Sequence, residues 1–205
     1  MWTRRRLLEI WIGTASASLF SIPPYLWAKA KKVLPKGFPK SRLLNMNPAD
    51  VDSQDLEIDA LGKLGTMGPT DVEIDVKTYR LKVTGKVERP LSLTYEEVQK
   101  LPATTEAVLL ICPGFFANHV RWTGCRFSSL LEEAGVNKEA KSIDVRGAGK
   151  AVRIPLEDLG KKKIFLAYRI NGEVLPRRHG FPLRLVLEDV YGYDWVKYVN
   201  EIVVL

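Results

Sequence analysis

The stretch HGFPLRLVLEDVYGYDWVK, residues 179–197, holds two cationic side chains on either side of a glycine-containing turn. A strand, a turn and a second strand would bring Arg184 and Lys197 to one side of the molecule. Arginine and lysine make charge-assisted hydrogen bonds to phosphate, and the backbone amides of a turn strengthen such a site. These residues alone predict either an anion site that includes His179 or a solvated basic hairpin.

A second chemical signal is Cys112, which ends the short apolar run at residues 107–111 and precedes Pro113. The pattern predicts a cysteine at the end of a buried strand, followed by a loop that reaches residue 119. A thiolate is a soft ligand that suits transition metals, and only the deprotonated sulfur binds. Two other interpretations remain open: a buried structural cysteine, or a disulfide between Cys112 and Cys125.

Residues 71–205 have the pattern of an α+β domain that is strand-rich, with mixed sheets. Thr94 is predicted to cap a helix at 95–101, and a serine to cap a helix at 127–134 that Gly135 ends. Asn171-Gly172 predicts a hairpin turn, and residues 31–70 are predicted to form an extended arm. Strands are predicted at residues 79–84, 107–111, 142–146, 151–154, 164–169, 183–187 and 196–205.

The N-terminus has the features of an export signal. Consecutive arginines, Arg4 to Arg6, precede a moderately apolar run at residues 10–27, which Ala28-Lys29-Ala30 follows. This arrangement resembles a twin-arginine signal, so residues 1–30 are predicted to send the folded chain to the periplasm, or to tether it to a membrane if uncleaved. Export in the folded state suits a protein that receives a cofactor beforehand.

Composition excludes several classes of protein. With two cysteines and two histidines, the chain is neither a disulfide scaffold nor a closed four-cysteine zinc protein. Its net charge is +7, but no nucleic-acid-binding motif accompanies the charge, so no nucleic-acid partner is predicted.

Over most of its length the chain resembles the molybdopterin-binding domain of the sulfite oxidase family. The resemblance rests on landmarks between residues 79 and 205 that occur in the family's order. They are Tyr79-Arg-Leu-Lys-Val-Thr-Gly85, Leu109-Leu-Ile-Cys112, Arg121-Trp122-Thr-Gly124, the segment from Leu166 to Arg184, and Gly192-Tyr-Asp-Trp-Val-Lys197.

The resemblance implies a cofactor and a site. Cys112 would be the protein thiolate on molybdenum, and the pterin would be the single, unextended form. Side chains and backbone of a second group would hold the pterin and its phosphate: His179, Arg184, Trp195, Val196 and Lys197.

The resemblance also implies a reaction and a partner. Oxygen-atom transfer would cycle the metal between Mo(VI) and Mo(IV), and a separate haem or flavin protein, membrane-bound in some arrangements, would exchange electrons. Small exported relatives are similar to the catalytic subunit of periplasmic methionine sulfoxide reductases. The substrate would be a small-molecule oxide or oxyanion.

Two departures from the family pattern bear on the substrate. The loop after Cys112 carries Phe115 and Phe116 where many relatives carry an acid and a tryptophan, and residues 64–70 lack the family's arginine and asparagine. An apolar wall favours reduction of an S- or N-oxide, whereas Arg121 and Arg126, if near Cys112, would favour sulfite oxidation. The alternative is a cofactor-free exported binding module that kept the fold but lost the chemistry.

Overall fold

Two five-stranded β-sheets form the body of the protein in the computed structural model, which describes residues 30–205. Three short helices accompany them: α1 (Lys40–Leu43), α2 (Tyr95–Lys100) and α3 (Phe127–Ala134). The strands are β1 (Lys32–Val33), β2 (Val51–Asp52), β3 (Leu81–Gly85), β4 (Leu91–Leu93), β5 (Ala103–Cys112), β6 (Phe116–Arg126), β7 (Ser142–Gly147), β8 (Lys150–Pro155), β9 (Ile164–Ile170), β10 (Glu173–Val174), β11 (Arg184–Leu187) and β12 (Val199–Val204).

The two sheets differ in strand direction. The first has the order β10-β9-β6-β5, with β11 also paired to β9, and all its neighbours are antiparallel. The second has the order β4-β3-β12-β7-β8, and its β3–β12 pair is parallel. One apolar core contains residues of both sheets and of α3. The predicted strand-rich α+β fold with mixed sheets is confirmed.

The β5–β6 hairpin was not predicted, and it places Cys112 at its turn. Cys112 pairs with Phe116, so the predicted loop to residue 119 is wrong and only residues 113–115 lie outside the strands. Because β6 is a central strand with residues buried on both faces, its sequence lacks clear alternation. At the other end of the hairpin Cys125 pairs with Ala103, about 30 Å away, so the disulfide interpretation is wrong.

Local signals were good predictors of turns and of one cap. Thr94 and Glu97 form a capping box at α2, and Gly135 ends α3 with a positive φ of 65°. Asn171 and Gly172 both have positive φ at the β9–β10 turn, as the hairpin prediction requires. The predicted serine cap of α3 is wrong: the helix begins at Phe127, and its N-cap residue makes no side-chain capping bond.

Residues 30–70 are largely irregular, but they pack against the first sheet. Leu34, Leu43, Val51 and Leu56 form a small apolar cluster with Leu109 and Ile111 of β5. This packing leads the chain to the Cys112 end of the hairpin. Within the described residues, no helix is long and apolar enough to cross a membrane. The predicted signal, apart from residue 30, lies outside the residues that the structure describes.

Candidate functional site

A cavity of about 240 Å³ lies where the two sheets meet. Its wall includes the end of β5, the start of β6, the β7–β8 turn and the segment before β12. One predicted residue, Val196, is fully buried and is not among the lining residues; its carbonyl accepts a hydrogen bond from the Leu185 amide. The other predicted site residues all line the cavity: Cys112, His179, Arg184, Trp195 and Lys197.

Cys112 forms what we call the sulfur end of the cavity, together with Met67 and Phe116. The cysteine is 4% exposed, and burial raises the pKa of its thiol. The thiol donates toward the Met67 sulfur, with 3.9 Å between Sγ and Sδ. A metal cation would stabilise the thiolate that burial disfavours, so this cysteine is better suited to bind metal than to act as a free nucleophile.

Arg184 is the centre of what we call the anion end, which also contains His179 and Lys197. Its guanidinium lies 5.4 Å from the ring centres of both Trp122 and Trp195. Nη1 donates to the His179 carbonyl at 2.8 Å, whereas the buried Nε has no hydrogen-bond partner among the described residues. Burial lowers the pKa of Arg184 to about 10, so the side chain remains a cation at neutral pH.

His179 is a neutral hydrogen-bonding group in this site. Burial, and then the charges of Arg184, Arg178 and Lys197, lower its pKa to about 4. Its Nε2 accepts a hydrogen bond from Arg178 Nε at 3.1 Å. The proton of the neutral ring therefore lies on Nδ1, which can donate to a bound acceptor.

The Lys197 ammonium contacts neutral hydroxyl and carbonyl oxygens, and no carboxylate is among its hydrogen-bond partners in the described residues. Its ammonium donates to Thr66 Oγ1 and to the carbonyls of Met67, Pro69 and Arg178, at 2.7–3.1 Å. Burial, with the nearby arginines, lowers the pKa of Lys197 to about 8. Among the described lining residues there are further cationic groups and no aspartate or glutamate.

The residues present fit a phosphorylated cofactor that carries a soft metal. Burying a cation without a counter-ion lowers the stability of the fold. The buried Nε of Arg184 is, in addition, a hydrogen-bond donor without an acceptor among the described residues. A phosphate at the anion end would neutralise Arg184 and accept from Nε and from the His179 ring. The thiol of Cys112 lies in the same cavity to receive the metal.

Two predicted cations and one predicted aromatic residue lie elsewhere. Arg126 pairs with Glu106, and Arg121 lines a separate surface cavity, so neither lines the cavity that holds Cys112. Phe116 lines the cavity, but Phe115 is 69% exposed and does not. The expectation that Arg121 and Arg126 would serve an oxyanion near Cys112 is wrong, because β6 extends away from Cys112 and carries Arg126 to the opposite end of the hairpin.

Sequence reasoning missed two contributors to the site, Trp122 and Met67, whereas the resemblance had suggested Gly147. Trp122 belongs to a family landmark, but its stacking on Arg184 had no signal in the local sequence. A Cβ on Gly147 would lie 2.5 Å from the Tyr198 carbonyl oxygen, so this wall position accepts only glycine. Met67 was also missed, because its contact with Cys112 joins residues 45 positions apart.

Comparisons with known proteins identify the family to which this chain is similar. The family model described as "Oxidoreductase molybdopterin binding domain" matches residues 67–205. The uncharacterized oxidoreductase YuiH of Bacillus subtilis (strain 168) is 32% identical over 130 residues, which cover 62% of this chain and 66% of that one. Mitochondrial sulfite oxidase of Rattus norvegicus is 30% identical over 160 residues, covering 63% of this chain and 29% of that one.

Two further similarities extend the comparison. The putative protein-methionine-sulfoxide reductase subunit YedZ1 of Azospira oryzae (strain ATCC BAA-33 / DSM 13638 / PS) is 27% identical over 133 residues, covering 64% of this chain and 51% of that one. The sulfane dehydrogenase SoxCD from Paracoccus pantotrophus has a similar fold, with a TM-score of 0.62 over 97% of this chain and 56% of that chain, at 23% identity.

The chain spans between 29% and 66% of the length of these three curated relatives. The match to the family model, over most of the chain, replaces the alternative of a cofactor-free binding module. Molybdopterin, with molybdenum, is the cofactor that this domain implies. The chain is therefore an oxidoreductase that belongs to the family of the molybdopterin-binding domain found in sulfite oxidases.

Proposed function

We propose that this protein is an exported molybdenum oxidoreductase that removes the oxygen atom from an S- or N-oxide. The observation that carries this direction is the contact between Cys112 and Met67. A thioether is the product of sulfoxide reduction, and the space beside the Cys112 sulfur already holds one. The surroundings of this sulfur therefore accept the polarity of a sulfide.

The electrostatics of the sulfur end also support reduction over sulfite oxidation. Burial alone raises the pKa of Cys112, and no neighbouring cation among the described residues opposes that shift. An oxyanion such as sulfite would need cations at this end, and Arg121 and Arg126 lie elsewhere. A neutral oxide is bound at lower desolvation cost by an apolar wall, which Phe116 provides.

In this proposal different residues of the cavity bind the metal, bind the phosphate and orient Arg184. Bound cofactor supplies the two-electron redox chemistry, with Cys112 as the protein ligand of its molybdenum. Arg184 and His179 bind the phosphate and so fix the position of the pterin. Trp122 and Trp195 hold the Arg184 guanidinium by their ring faces, which orients it without a competing carboxylate.

The proposed reaction needs an electron donor. Reduction of a sulfoxide consumes two electrons and two protons and yields a sulfide and water. We propose a separate haem or flavin protein, membrane-bound or soluble, as the source of the electrons. The Azospira oryzae relative supports this, because its name describes a subunit of a larger reductase.

We further propose periplasmic location and an unextended pterin. The first rests on the arginine triplet and apolar run at the N-terminus, with a membrane tether as the outcome if the signal is uncleaved. The second rests on the match to the molybdopterin-binding domain family, whose resemblance implies the single, unextended form.

The direction is tested with the full chain purified from a host that makes molybdopterin. With a reduced viologen as electron donor, we expect turnover of sulfoxides or N-oxides. With ferricyanide as electron acceptor, we expect little turnover of sulfite. Turnover of sulfite without turnover of any oxide would contradict the proposed direction while leaving the family assignment intact.

A further inference from the structure

Residues 65–69, which we call the cover segment, cross the cavity and are held at both ends. At the first end Gly65 and the Asn118 side chain exchange two hydrogen bonds, of 3.1 and 2.8 Å. At the other end the Pro69 carbonyl accepts hydrogen bonds from Lys197 Nζ and from the Tyr198 hydroxyl. The cover segment therefore has a defined position although it contains no helix or strand.

Lys197 makes most of its polar contacts with the cover segment. Three of its four oxygen partners belong to Thr66, Met67 and Pro69, and the fourth is the Arg178 carbonyl. An ammonium has three N–H donors, so these neutral oxygens already use all of them. Arg184 is different, because its buried Nε has no partner among the described residues.

The middle of the cover segment lies over the Cys112 sulfur. Met67 is 43% exposed, whereas Cys112, 3.9 Å away between sulfur atoms, is 4% exposed. The thioether therefore lies between the thiol and the solvent. Any group that reaches Cys112 from this side must displace Met67 or pass beside it.

We propose that Met67 controls access to the Cys112 sulfur and that Lys197 is a positioning residue that holds Met67 in place. In this assignment the cofactor phosphate is bound chiefly by Arg184 and His179, and Lys197 acts through the cover segment. The access control depends only on the protein. The further suggestion that this access control selects small oxide substrates over bulky ones rests on the function proposed above.

The test is the rate at which iodoacetamide alkylates Cys112 in the full chain made without cofactor, followed by peptide mass spectrometry. This measurement needs neither metal nor turnover, so its failure is distinct from failure of the proposed function. Met67→Ala is expected to raise the rate about tenfold, since it removes the cover. Lys197→Met keeps the aliphatic stem and should raise the rate by a similar factor, because the segment loses several hydrogen bonds.

Lys150→Met is the matched control for the loss of charge. Lys150 lines the same cavity but makes no hydrogen bond with the cover segment. Lys150→Met therefore removes a charge from the cavity without loosening the cover segment. It should leave the rate unchanged, whereas Lys197→Met should increase it.

Cys125 reports on the fold within the same sample. It is fully buried, and burial raises its pKa to about 12, so it reacts only if the core opens. A Met67→Ala rate within twofold of the original, with Cys125 protected, overturns the access role. A Lys197→Met rate that, like that of Lys150→Met, does not rise overturns the positioning role. Because Met67 is 43% exposed, Met67→Ala decides the first point even if Lys197→Met unfolds.

Loaded enzyme provides a second readout. Met67→Ala should lower KM for a bulky aryl sulfoxide more than for dimethyl sulfoxide. Equal changes in KM for both compounds would contradict control of access by size.

Discussion

The sulfur end and the anion end of one cavity are built in opposite ways. At the sulfur end, the protein supplies its own neighbour for Cys112, the thioether of Met67. At the anion end, Arg184 is buried with an unpaired Nε, and no acid lines the cavity within residues 30–205. The sulfur end is thus closed without a ligand, and the anion end is incomplete without one. We therefore propose that the anion end determines whether the cofactor is retained, and that the sulfur end determines what the cofactor does.

The largest expected effect is on turnover when the sulfur ligand is removed, and it separates turnover from retention of the cofactor. Cys112→Ser should lower turnover by at least about 100-fold, because a hydroxyl is a much poorer ligand for a soft metal site. It should leave bound pterin close to the original amount, because the anion end is intact. Steady-state assays and pterin fluorescence after denaturation measure the two quantities. Unchanged turnover in pterin-loaded Cys112→Ser would remove Cys112 from the reaction.

A smaller effect is expected on folding stability when the backbone beside the anion end is crowded by a new side chain. Gly147→Ala would place a Cβ 2.5 Å from the Tyr198 carbonyl oxygen and 2.6 Å from that of Lys197. Both contacts are backbone atoms, so we expect a loss of roughly 1–3 kcal/mol in the free energy of unfolding. Urea denaturation of cofactor-free protein measures it.

Gly160→Ala is the control for this substitution. Nothing lies within 4 Å of a Cβ at Gly160, and its φ is not in the left-handed region. We expect a change within about 0.5 kcal/mol. Equal free energies of unfolding for Gly147→Ala and Gly160→Ala would contradict this expectation, because the backbone at Lys197 and Tyr198 would then have moved at little energetic cost.

The smallest expected effect is a pH dependence at the anion end. The pKa of His179 is about 4 in the folded protein, against about 6.5 in an unfolded chain, so the unfolded state binds more protons between these values. Stability of the cofactor-free protein should therefore fall as pH decreases from about 6.5, with a slope from His179 of at most about 1.4 kcal/mol per pH unit. His179→Gln should reduce this slope in urea titrations at pH 7, 6 and 5.

His119 also contributes to the pH dependence of stability, and it does so equally in the original protein and in His179→Gln. It is also buried, and burial lowers its pKa, so it contributes in the same direction in both proteins. Bound phosphate should favour the protonated form of His179 and make the slope shallower in loaded enzyme. Equal slopes for the cofactor-free original and His179→Gln would contradict the shifted titration of this residue.

The contrast between the two ends also explains what the sequence could predict. Cys112, Arg184 and Lys197 each lie in a family landmark, so their roles were predicted by resemblance and the structure places them in one cavity. The turn at Asn171 and the capping box at Thr94 depend on neighbouring residues and were predicted locally.

The remaining features depend on contacts between distant parts of the chain. Met67 lies in a segment without periodicity, and only the packing of residues 30–70 on β5 brings it to Cys112. Strand β6 was not predicted at all, because a strand buried on both faces does not alternate. Arg126 was placed near Cys112 by sequence distance, but the extended hairpin carries it to Glu106.

The central claim is that Arg184 makes the anion end the retaining site of the cofactor. The direct measurement is molybdenum and pterin per chain in the original protein and Arg184→Leu, both purified from a host that makes molybdopterin. We predict about one molybdenum per chain in the original and about a tenfold loss of both molybdenum and pterin in Arg184→Leu, with the variant still folded because no buried charge loses its partner. Equal loading of folded Arg184→Leu would contradict the account.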